Sequence, residues 1–438
     1  MPYDLYYQIM PDGTVKQINP FTGTEVWSVT GRGSKPLSNE IPPTAKVLEK
    51  KDALDYCSFC PMRYFEVPPE KARLVKTNGE YQVLKFLTAE RYFETDAEFR
   101  RVPNLFEIVT LDYWRKNYNF RIPDERKKWR DEYLSTPDGI KHIEKLLNYK
   151  LRQTGKTDEQ IRRMHGFDKL SIADAFFGGS HELIIAKPHY KQGAEWDVEL
   201  FSSGDMTPNE HYHYFKFSID AMKDIFDNNR YARYISIFQN WLRPAGASMD
   251  HLHKQLVALD EWGSSIQSQI KLLREDPNAF NEMGANFAAR HNLIIAENDY
   301  ALAFVGIGHR FPTIEIFSRS QTCRPYEHSD EEIRGLSNLV HAFHVAMGSG
   351  ISCNEEWYYT PVDAVYKMPW HILIKWRVNV PAGFEGGTSI YLSPITPIEL
   401  RDKLVPKLYQ VRDEGKIESI RIAEECRIFP NPLKYYLR

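Results

Sequence analysis

The sequence of 438 residues contains no apolar run approaching the roughly 20 residues that a membrane-spanning helix requires. Its amino terminus, from Met1 to Leu5, has no basic region followed by an apolar stretch, so it does not match a secretory signal. We therefore expect a cytoplasmic protein that does not interact with membranes.

An excess of charge of one sign is also missing, because 56 Lys and Arg residues stand against 59 Asp and Glu residues, a formal net charge of −3. Without a global basic field the chain is not expected to bind nucleic acid, and any recognition of phosphate must be local. The 42% hydrophobic and 26% charged content is that of a globular protein, and the length allows two domains with separate cores.

Cysteine is scarce, with 5 residues in an odd and scattered set that does not look like a disulfide framework. Only Cys57 and Cys60 are close together, in the segment CSFCP. Two thiolates at this spacing can chelate one Zn²⁺ tetrahedrally. A redox dithiol is the alternative, but that chemistry usually places the motif at the start of a helix in a small βαβ domain, which is not evident here.

The stretch GASMDHLHKQL is the most informative part of the sequence. If the chain is a strand from His251 to Leu259, its period of two places His251, His253 and Gln255 on one face. The small residues ahead of them would let backbone N–H groups and the Ser248 hydroxyl approach an anionic ligand such as a phosphate. A half-buried strand with two surface histidines is the alternative interpretation.

The pattern Gly-Ala-Ser-x-x-His-x-His-x-Gln resembles the active-site motif of the galactose-1-phosphate uridylyltransferase branch of the histidine-triad superfamily, whose relatives include ADP-glucose phosphorylases and diadenosine tetraphosphate phosphorylases. The resemblance implies that His253 attacks the α-phosphorus of a nucleotide and carries the nucleotidyl group covalently. A neutral imidazole is both a competent nucleophile and a good leaving group. Gln255 would then donate a hydrogen bond to a non-bridging oxygen as charge builds in the transition state.

The segment CSFCP resembles the zinc segment of the same family, which implies one structural zinc ion per chain held by Cys57, Cys60, His189 and His251. Relatives usually place a residue between the Pro and the His of the third ligand segment, and here Pro188 and His189 are adjacent. Four protein ligands leave no open coordination position, so the metal would anchor the strand that follows His251. Core thiols and an ordinary loop histidine are the alternative.

Five further residues are candidate substrate contacts. By resemblance, Asn104 belongs to the segment that holds the base and ribose, and Asn240 and Ser248 lie at the nucleotide phosphate. Arg243 could pair with a phosphate or brace its loop. Glu385, in a GFEGGTS stretch where relatives have Gly-Thr-Gly, could bind a sugar hydroxyl or serve as a plain turn carboxylate.

The order of strand and helix signals restarts near residue 285, which echoes the first part of the chain. We expect an α+β fold of two tandem histidine-triad-like halves, each an antiparallel sheet with packed helices. Residues 1–284 would carry the zinc site and the nucleophile, with a helical insertion at about 115–175, and residues 285–438 would form the second half. N-cap chemistry predicts helix starts at Ser218 and Ser329.

These features together predict a nucleotidyltransferase that moves a nucleoside monophosphate between a nucleotide sugar and a sugar 1-phosphate through a nucleotidyl-His253 intermediate. The helical insertion could cap the site or form the contact of a homodimer. A nucleotide-sugar or dinucleotide phosphorylase of the same fold is one alternative, and a non-catalytic zinc-containing nucleotide-binding protein is another. The intact His253 and Gln255 favour activity.

Overall fold

Sixteen strands are present in the computed structural model, which describes residues 5–29, 42–49, 52–427 and 429–437. Within these ranges they form one sheet of four and one sheet of twelve strands. The strands are β1 Tyr7–Ile9, β2 Val15–Ile18, β3 Glu25–Ser28, β4 Ala72–Thr77, β5 Glu80–Lys85, β6 Ala97–Pro103, β7 His181–Ala186, β8 Tyr234–Trp241, β9 His253–Leu259, β10 Ile294–Glu297, β11 Ala301–Val305, β12 Thr313–Ser318, β13 Cys353–Tyr358, β14 His371–Trp376, β15 Ile390–Leu392 and β16 Arg421–Ile422.

Helices connect these strands and cover the large sheet. They are α1 Asp52–Asp55, α2 Leu111–Tyr118, α3 Asp124–Tyr133, α4 Pro137–Gln153, α5 Asp158–Arg163, α6 Gly166–Ala173, α7 Ala175–Gly178, α8 Pro208–Asn228, α9 Ser264–Glu275, α10 Asn286–Arg290, α11 Asp330–Met347, α12 Gly383–Thr388 and α13 Pro397–Asp413. Across the described ranges, none of them combines the length and the apolar character that crossing a bilayer requires.

The twelve-stranded sheet runs through both halves of the chain without a break. Its order is β16-β10-β11-β12-β14-β13-β8-β9-β7-β6-β4-β5, and every neighbouring pair is antiparallel. The halves meet where β8 pairs with β13, with Trp241 opposite Cys353 and Phe238 opposite Glu356. The predicted α+β class is confirmed, and the boundary at residue 285 stays a prediction.

The same order of elements occurs on each side of the β8–β13 pair. The first half runs β6, β7, α8, β8, β9, and the second runs β11, β12, α11, β13, β14. Helices α8 and α11 pack side by side, and the Oγ of Ser337 on α11 lies 2.8 Å from the Nδ1 of His211 on α8. The helices α2 to α7 fall between β6 and β7, and Trp129, Tyr133 and Phe177 from this segment are buried in a second core together with Tyr64 and Tyr92.

Strands β10, β11 and β12 are buried along their whole length. In β12 the sequence TIEIFS keeps three polar residues, which are buried as well, whereas IIAE in β10 and ALAFV in β11 are almost continuously apolar instead of alternating. This composition fits strands that are covered on both faces, because neither face then favours polar side chains. The second half therefore contributes much of the main core.

Of the two helix starts predicted from capping residues, one is confirmed and one is wrong. Ser329 caps α11 as predicted, because its side chain accepts a hydrogen bond from the Glu332 N–H. The start at Ser218 is wrong, because α8 begins well before it, behind a capping box formed by Thr207 and Glu210. Ser218 lies inside the helix and is buried.

A buried ion pair lies on the helix-covered face of the large sheet. Lys254 of β9 and Glu355 of β13 are both fully buried, with Nζ 2.7 Å from Oε1. Gln239 accepts a second hydrogen bond from Lys254 at 3.1 Å, and His344 and Trp357 donate to the Glu355 carboxylate at 2.9 and 2.7 Å. Because each charge is hydrogen-bonded, the pair is tolerated in the core and joins the two halves.

Removing one charge of this pair should destabilise the protein strongly. We expect Lys254→Met to lower the free energy of unfolding by roughly 3–5 kcal/mol, because it leaves an unpaired carboxylate in the core. The double variant Lys254→Met with Glu355→Gln should recover most of the loss, since the second charge is removed as well. Urea denaturation followed by tryptophan fluorescence measures both; equal stability of the single and double variants would contradict the interpretation.

Candidate active site and metal centre

The four predicted metal ligands come together at one edge of the site. Their ligand atoms all lie within 4.8 Å of one another. The Sγ atoms of Cys57 and Cys60 are 3.8 Å apart, and the Nδ1 of His189 lies 3.3 and 3.4 Å from them. The Nδ1 of His251 is 3.5 Å from the Cys57 Sγ and 3.9 Å from the Cys60 Sγ.

These separations fit a tetrahedral zinc ion. Bonds of roughly 2.3 Å to sulfur and 2.0–2.1 Å to nitrogen give tetrahedral edges of roughly 3.8 Å between sulfurs and 3.5 Å between sulfur and nitrogen. The Nε2 of His251 donates to the Ala186 carbonyl at 2.7 Å, so its Nδ1 offers a lone pair. The hydrogen bond between the two cysteines lowers the pKa of the Cys60 thiol and raises the pKa of the Cys57 thiol, so it favours the thiolate that a metal binds at Cys60.

His253 is held by its backbone neighbour. Strand β9 begins at His253, so it is shorter than the predicted strand and His251 lies just ahead of it. The Nδ1 of His253 donates to the His251 carbonyl at 2.7 Å, which leaves Nε2 with a free lone pair. Burial lowers the pKa of His253 to about 4, so the ring is neutral near pH 7.

The four predicted metal ligands and His253 are connected through two contacts. His251 contributes its ring to the ligand cluster and its carbonyl to His253. Phe59, which lies between the two cysteines in sequence, packs edge-on against the His253 ring with centroids 5.2 Å apart. Arg100 on β6 donates to the Phe59 carbonyl and so holds this turn against the sheet.

Gln255 follows His253 on the same face of β9 and contacts a histidine that the sequence analysis did not select. The Nε2 of His181, the first residue of β7, is 3.1 Å from the Gln255 Oε1. Asn104 comes to the same place, with its amide nitrogen 3.1 Å from that Nε2. The only signal for His181 in the sequence is a polar residue at the start of an apolar strand.

Asn240 and Ser248 lie on either side of the tight turn at Gly246. The Oδ1 of Asn240 accepts a hydrogen bond from Asn354 at 2.7 Å, which leaves the Asn240 NH₂ group as a donor. A Cβ at position 246 would lie 4.0 Å from that nitrogen, and the φ of +87° at Gly246 favours glycine. Ser248 is exposed. Asn354 was not among the predicted site residues.

The other two candidate contacts have partners of their own. Arg243 is exposed on the same loop, with its Nε 3.7 Å from the Asp250 carboxylate. Glu385 lies in α12, next to the four-stranded sheet, and not on the strands that carry His253. Its carboxylate accepts a hydrogen bond from the Ala382 N–H at 2.8 Å. The roles of both residues stay predictions.

The second half repeats the strand position of His253 with a different neighbour. Strand β14 begins at His371, whose Nδ1 donates to the Pro369 carbonyl at 2.8 Å. The residue two positions before this histidine is thus a proline, where the first half has His251. The His371 ring is stacked against Phe317 and Tyr358, at centroid distances of 4.5 and 5.2 Å.

The family described as a domain of unknown function, DUF4921, matches residues 10–435 of the chain. The chain belongs to this family. No curated protein matches the sequence.

Two solved structures share the fold over nearly their whole length. An ADP-glucose phosphorylase from Arabidopsis thaliana, crystallised with ADP-glucose, is 16% identical and superimposes with a TM-score of 0.55 over 90% of this chain and 98% of that chain. A GALT-like protein from Arabidopsis thaliana, also 16% identical, has a TM-score of 0.54 over 89% of this chain and 98% of that chain. The fold expected from the resemblance to the uridylyltransferase branch is therefore confirmed.

Metal content provides the first test of the site. We expect about one zinc ion per chain by elemental analysis, because the four residues supply the complete tetrahedral ligand set of one ion. Cys57→Ser should lose the metal and lower the melting temperature, since binding of a structural metal contributes folding free energy.

Cys426→Ser is the matched control, because Cys426 is a half-buried free thiol whose Sγ lies 3.5 Å from the Arg421 carbonyl oxygen, outside the ligand cluster. It should keep both the zinc and the melting temperature. Metal-free purified protein whose melting temperature is unchanged by Cys57→Ser would show that the four residues do not form a metal site.

Proposed function

We propose that the protein is a nucleotidyltransferase that takes a nucleoside monophosphate from a nucleotide sugar onto His253 and passes it to a sugar 1-phosphate. The observation that carries this proposal is the hydrogen bond from the His253 Nδ1 to the His251 carbonyl. It leaves a buried, neutral imidazole with only Nε2 available for attack.

The reaction takes two displacements at one phosphorus atom. In the first, the Nε2 lone pair of His253 forms a P–N bond, and the P–O bond to the departing sugar 1-phosphate breaks with its electron pair. In the second, an acceptor phosphate oxygen attacks and the P–N bond breaks, returning the electron pair to Nε2. The ring carries positive charge between the steps, and the His251 carbonyl stabilises it through the Nδ1–H bond.

Polar groups around His253 support binding of the phosphates. The NH₂ group of Gln255 would donate to a non-bridging oxygen at the reacting phosphorus. The Asn240 NH₂ group and the Ser248 hydroxyl flank the Gly246 turn and would bind the neighbouring phosphate oxygens.

The remaining contacts are proposed at greater distance from the phosphorus. Asn104 would hold the base and ribose, Arg243 would pair with a phosphate, and Glu385 would bind a sugar hydroxyl. Zinc would be held by the two cysteines, His189 and His251, where it supplies structural anchoring without an open coordination position. A cytoplasmic location and a homodimer stay predictions.

Phosphorolysis is a second candidate function. The structural likeness to an ADP-glucose phosphorylase crystallised with ADP-glucose, over 98% of that chain, is the observation that favours it. The first displacement would be the same, and inorganic phosphate would replace the sugar 1-phosphate in the second. Comparing these two acceptors on a preformed intermediate separates the candidates.

Removing His253 should abolish the covalent intermediate. Incubation with UDP-glucose and ADP-glucose labelled at the α-phosphate should leave acid-labile, alkali-stable label on the wild type and none on His253→Gly. The loss of turnover should far exceed the roughly 100-fold to 1000-fold expected from deleting one transition-state hydrogen bond, because the two-step path itself is lost. His251→Asn should instead lower the zinc content.

His371 provides the control, because it starts β14 with the same Nδ1 hydrogen bond to a carbonyl two residues before it. His371→Gln should keep the label, and peptide mapping should place it on His253. Label on another residue, or wild-type turnover by His253→Gly, would disprove the mechanism. A wild type that no donor labels would favour the non-catalytic nucleotide-binding alternative.

A further inference from the structure

The tautomer of His181 follows from its backbone neighbour. The N–H of Ile108 points at the His181 Nδ1 at 3.0 Å. A backbone N–H only donates, so Nδ1 must be the acceptor, and the single proton of the neutral ring is on Nε2. His181 is 1% exposed, and burial lowers its pKa to about 4, so the ring is neutral near pH 7.

Two side-chain groups lie near the His181 Nε2–H, and only one of them can accept a hydrogen bond from it. The neighbours are the Gln255 Oε1 and the Asn104 Nδ2, each at 3.1 Å. The Asn104 Oδ1 already accepts a hydrogen bond from the Phe106 N–H at 2.9 Å, so Asn104 presents its NH₂ group, which cannot accept. The His181 Nε2–H therefore donates a hydrogen bond to the Gln255 Oε1.

The register of β7 and β9 determines where the other end of the Gln255 amide points. His181 lies opposite Val257, whereas Ile185 lies opposite His253. Gln255 is thus between the level of His181 and the level of His253 on the same face of the sheet. When its oxygen is held by His181, its NH₂ group is directed toward the His253 side.

We propose that His181 is a positioning residue that fixes the orientation of the Gln255 amide, so that NH₂ and not oxygen faces the phosphate on His253. This inference rests on the proposed function. An amide rotated by half a turn would present an oxygen to an anionic phosphate, and the attraction would become repulsion. His181 itself does not touch the reacting atoms.

The hydrogen bond that sets the His181 tautomer comes from the segment proposed to bind the nucleotide's base. Ile108 follows Asn104 closely in sequence, and Asn104 also contacts the His181 ring. The proposed base contact therefore lies next to the backbone N–H that places the proton on Nε2. In this arrangement, nucleotide recognition and transition-state stabilisation share one imidazole.

Two substitutions test the roles of the two His181 nitrogen atoms separately. His181→Gln places an amide NH₂ near the former Nε2 and keeps a donor to the Gln255 oxygen. His181→Asn keeps an acceptor for the Ile108 N–H but supplies no donor to Gln255. We expect the rate of label formation from the α-labelled donor to fall roughly 100-fold to 1000-fold in His181→Asn, with His181→Gln retaining most of the rate. Equal losses in both variants would indicate a structural role only.

A double-mutant cycle tests the dependence on Gln255 directly. In a Gln255→Ala background there is no amide left to orient, so His181→Asn should cause no further loss in the rate of label formation. Losses that multiply independently in the double variant would overturn the inference, because His181 would then act through something other than Gln255.

A spectroscopic measurement keeps the inference testable whatever the donor. With ¹⁵N-labelled histidine in the full chain, the His181 resonances should report a neutral ring protonated on Nε2, and a proton on Nδ1 would disprove the hydrogen-bond chain. Failure of all donors to label the wild type would instead count against the proposed function. The ¹⁵N measurement would then still test whether His181 donates a hydrogen bond from Nε2 to Gln255.

Discussion

The hydrogen bond between the His253 Nδ1 and the His251 carbonyl is the constraint on which the rest of the site depends. The ring of His251 lies in the Cys57, Cys60, His189 and His251 cluster, and its carbonyl accepts the hydrogen bond from His253, so the cluster and the His253 ring are coupled. Phe59 adds a second connection from the cysteine turn to the same ring. A metal with no open coordination position would matter for the proposed chemistry in this way, because it would fix the backbone that orients the His253 imidazole.

The second half repeats the backbone arrangement around His253 but not the side chains that surround it. It keeps the strand start and the carbonyl hydrogen bond at His371, but Pro369 occupies the position that His251 has in the first half. The His371 ring is stacked between two aromatic rings, whereas the His253 ring packs edge-on against Phe59, which lies between the two cysteines in sequence. A repeated strand geometry therefore supports two different local environments, and the residues that differ from the first half decide between them.

Local motifs made much of the site predictable, since the spacing of Cys57 and Cys60 and the alternation from His251 to Gln255 are both readable over a few positions. The partners of these residues were not predictable in the same way. His181 and Gln255 are 74 residues apart, and Lys254 and Glu355 are 101 residues apart, so no window of sequence contains both members of either pair. The error at Ser218 had a different cause, because a stronger capping box at Thr207 started the helix earlier.

The pairing of β8 with β13 also has a consequence for biosynthesis. Asn240 and Asn354, which meet across this pair, are 114 residues apart, so β8 is made long before its partner emerges from the ribosome. Until then the nascent first half has a free strand edge, and the Lys254 ammonium has no counter-charge in the core. Unpaired edges promote association between chains, and distant pairings form slowly. We therefore expect the half that carries His253 to mature only after residues 353–358 have been synthesised, so that the candidate site is completed late and by the half that does not contain it.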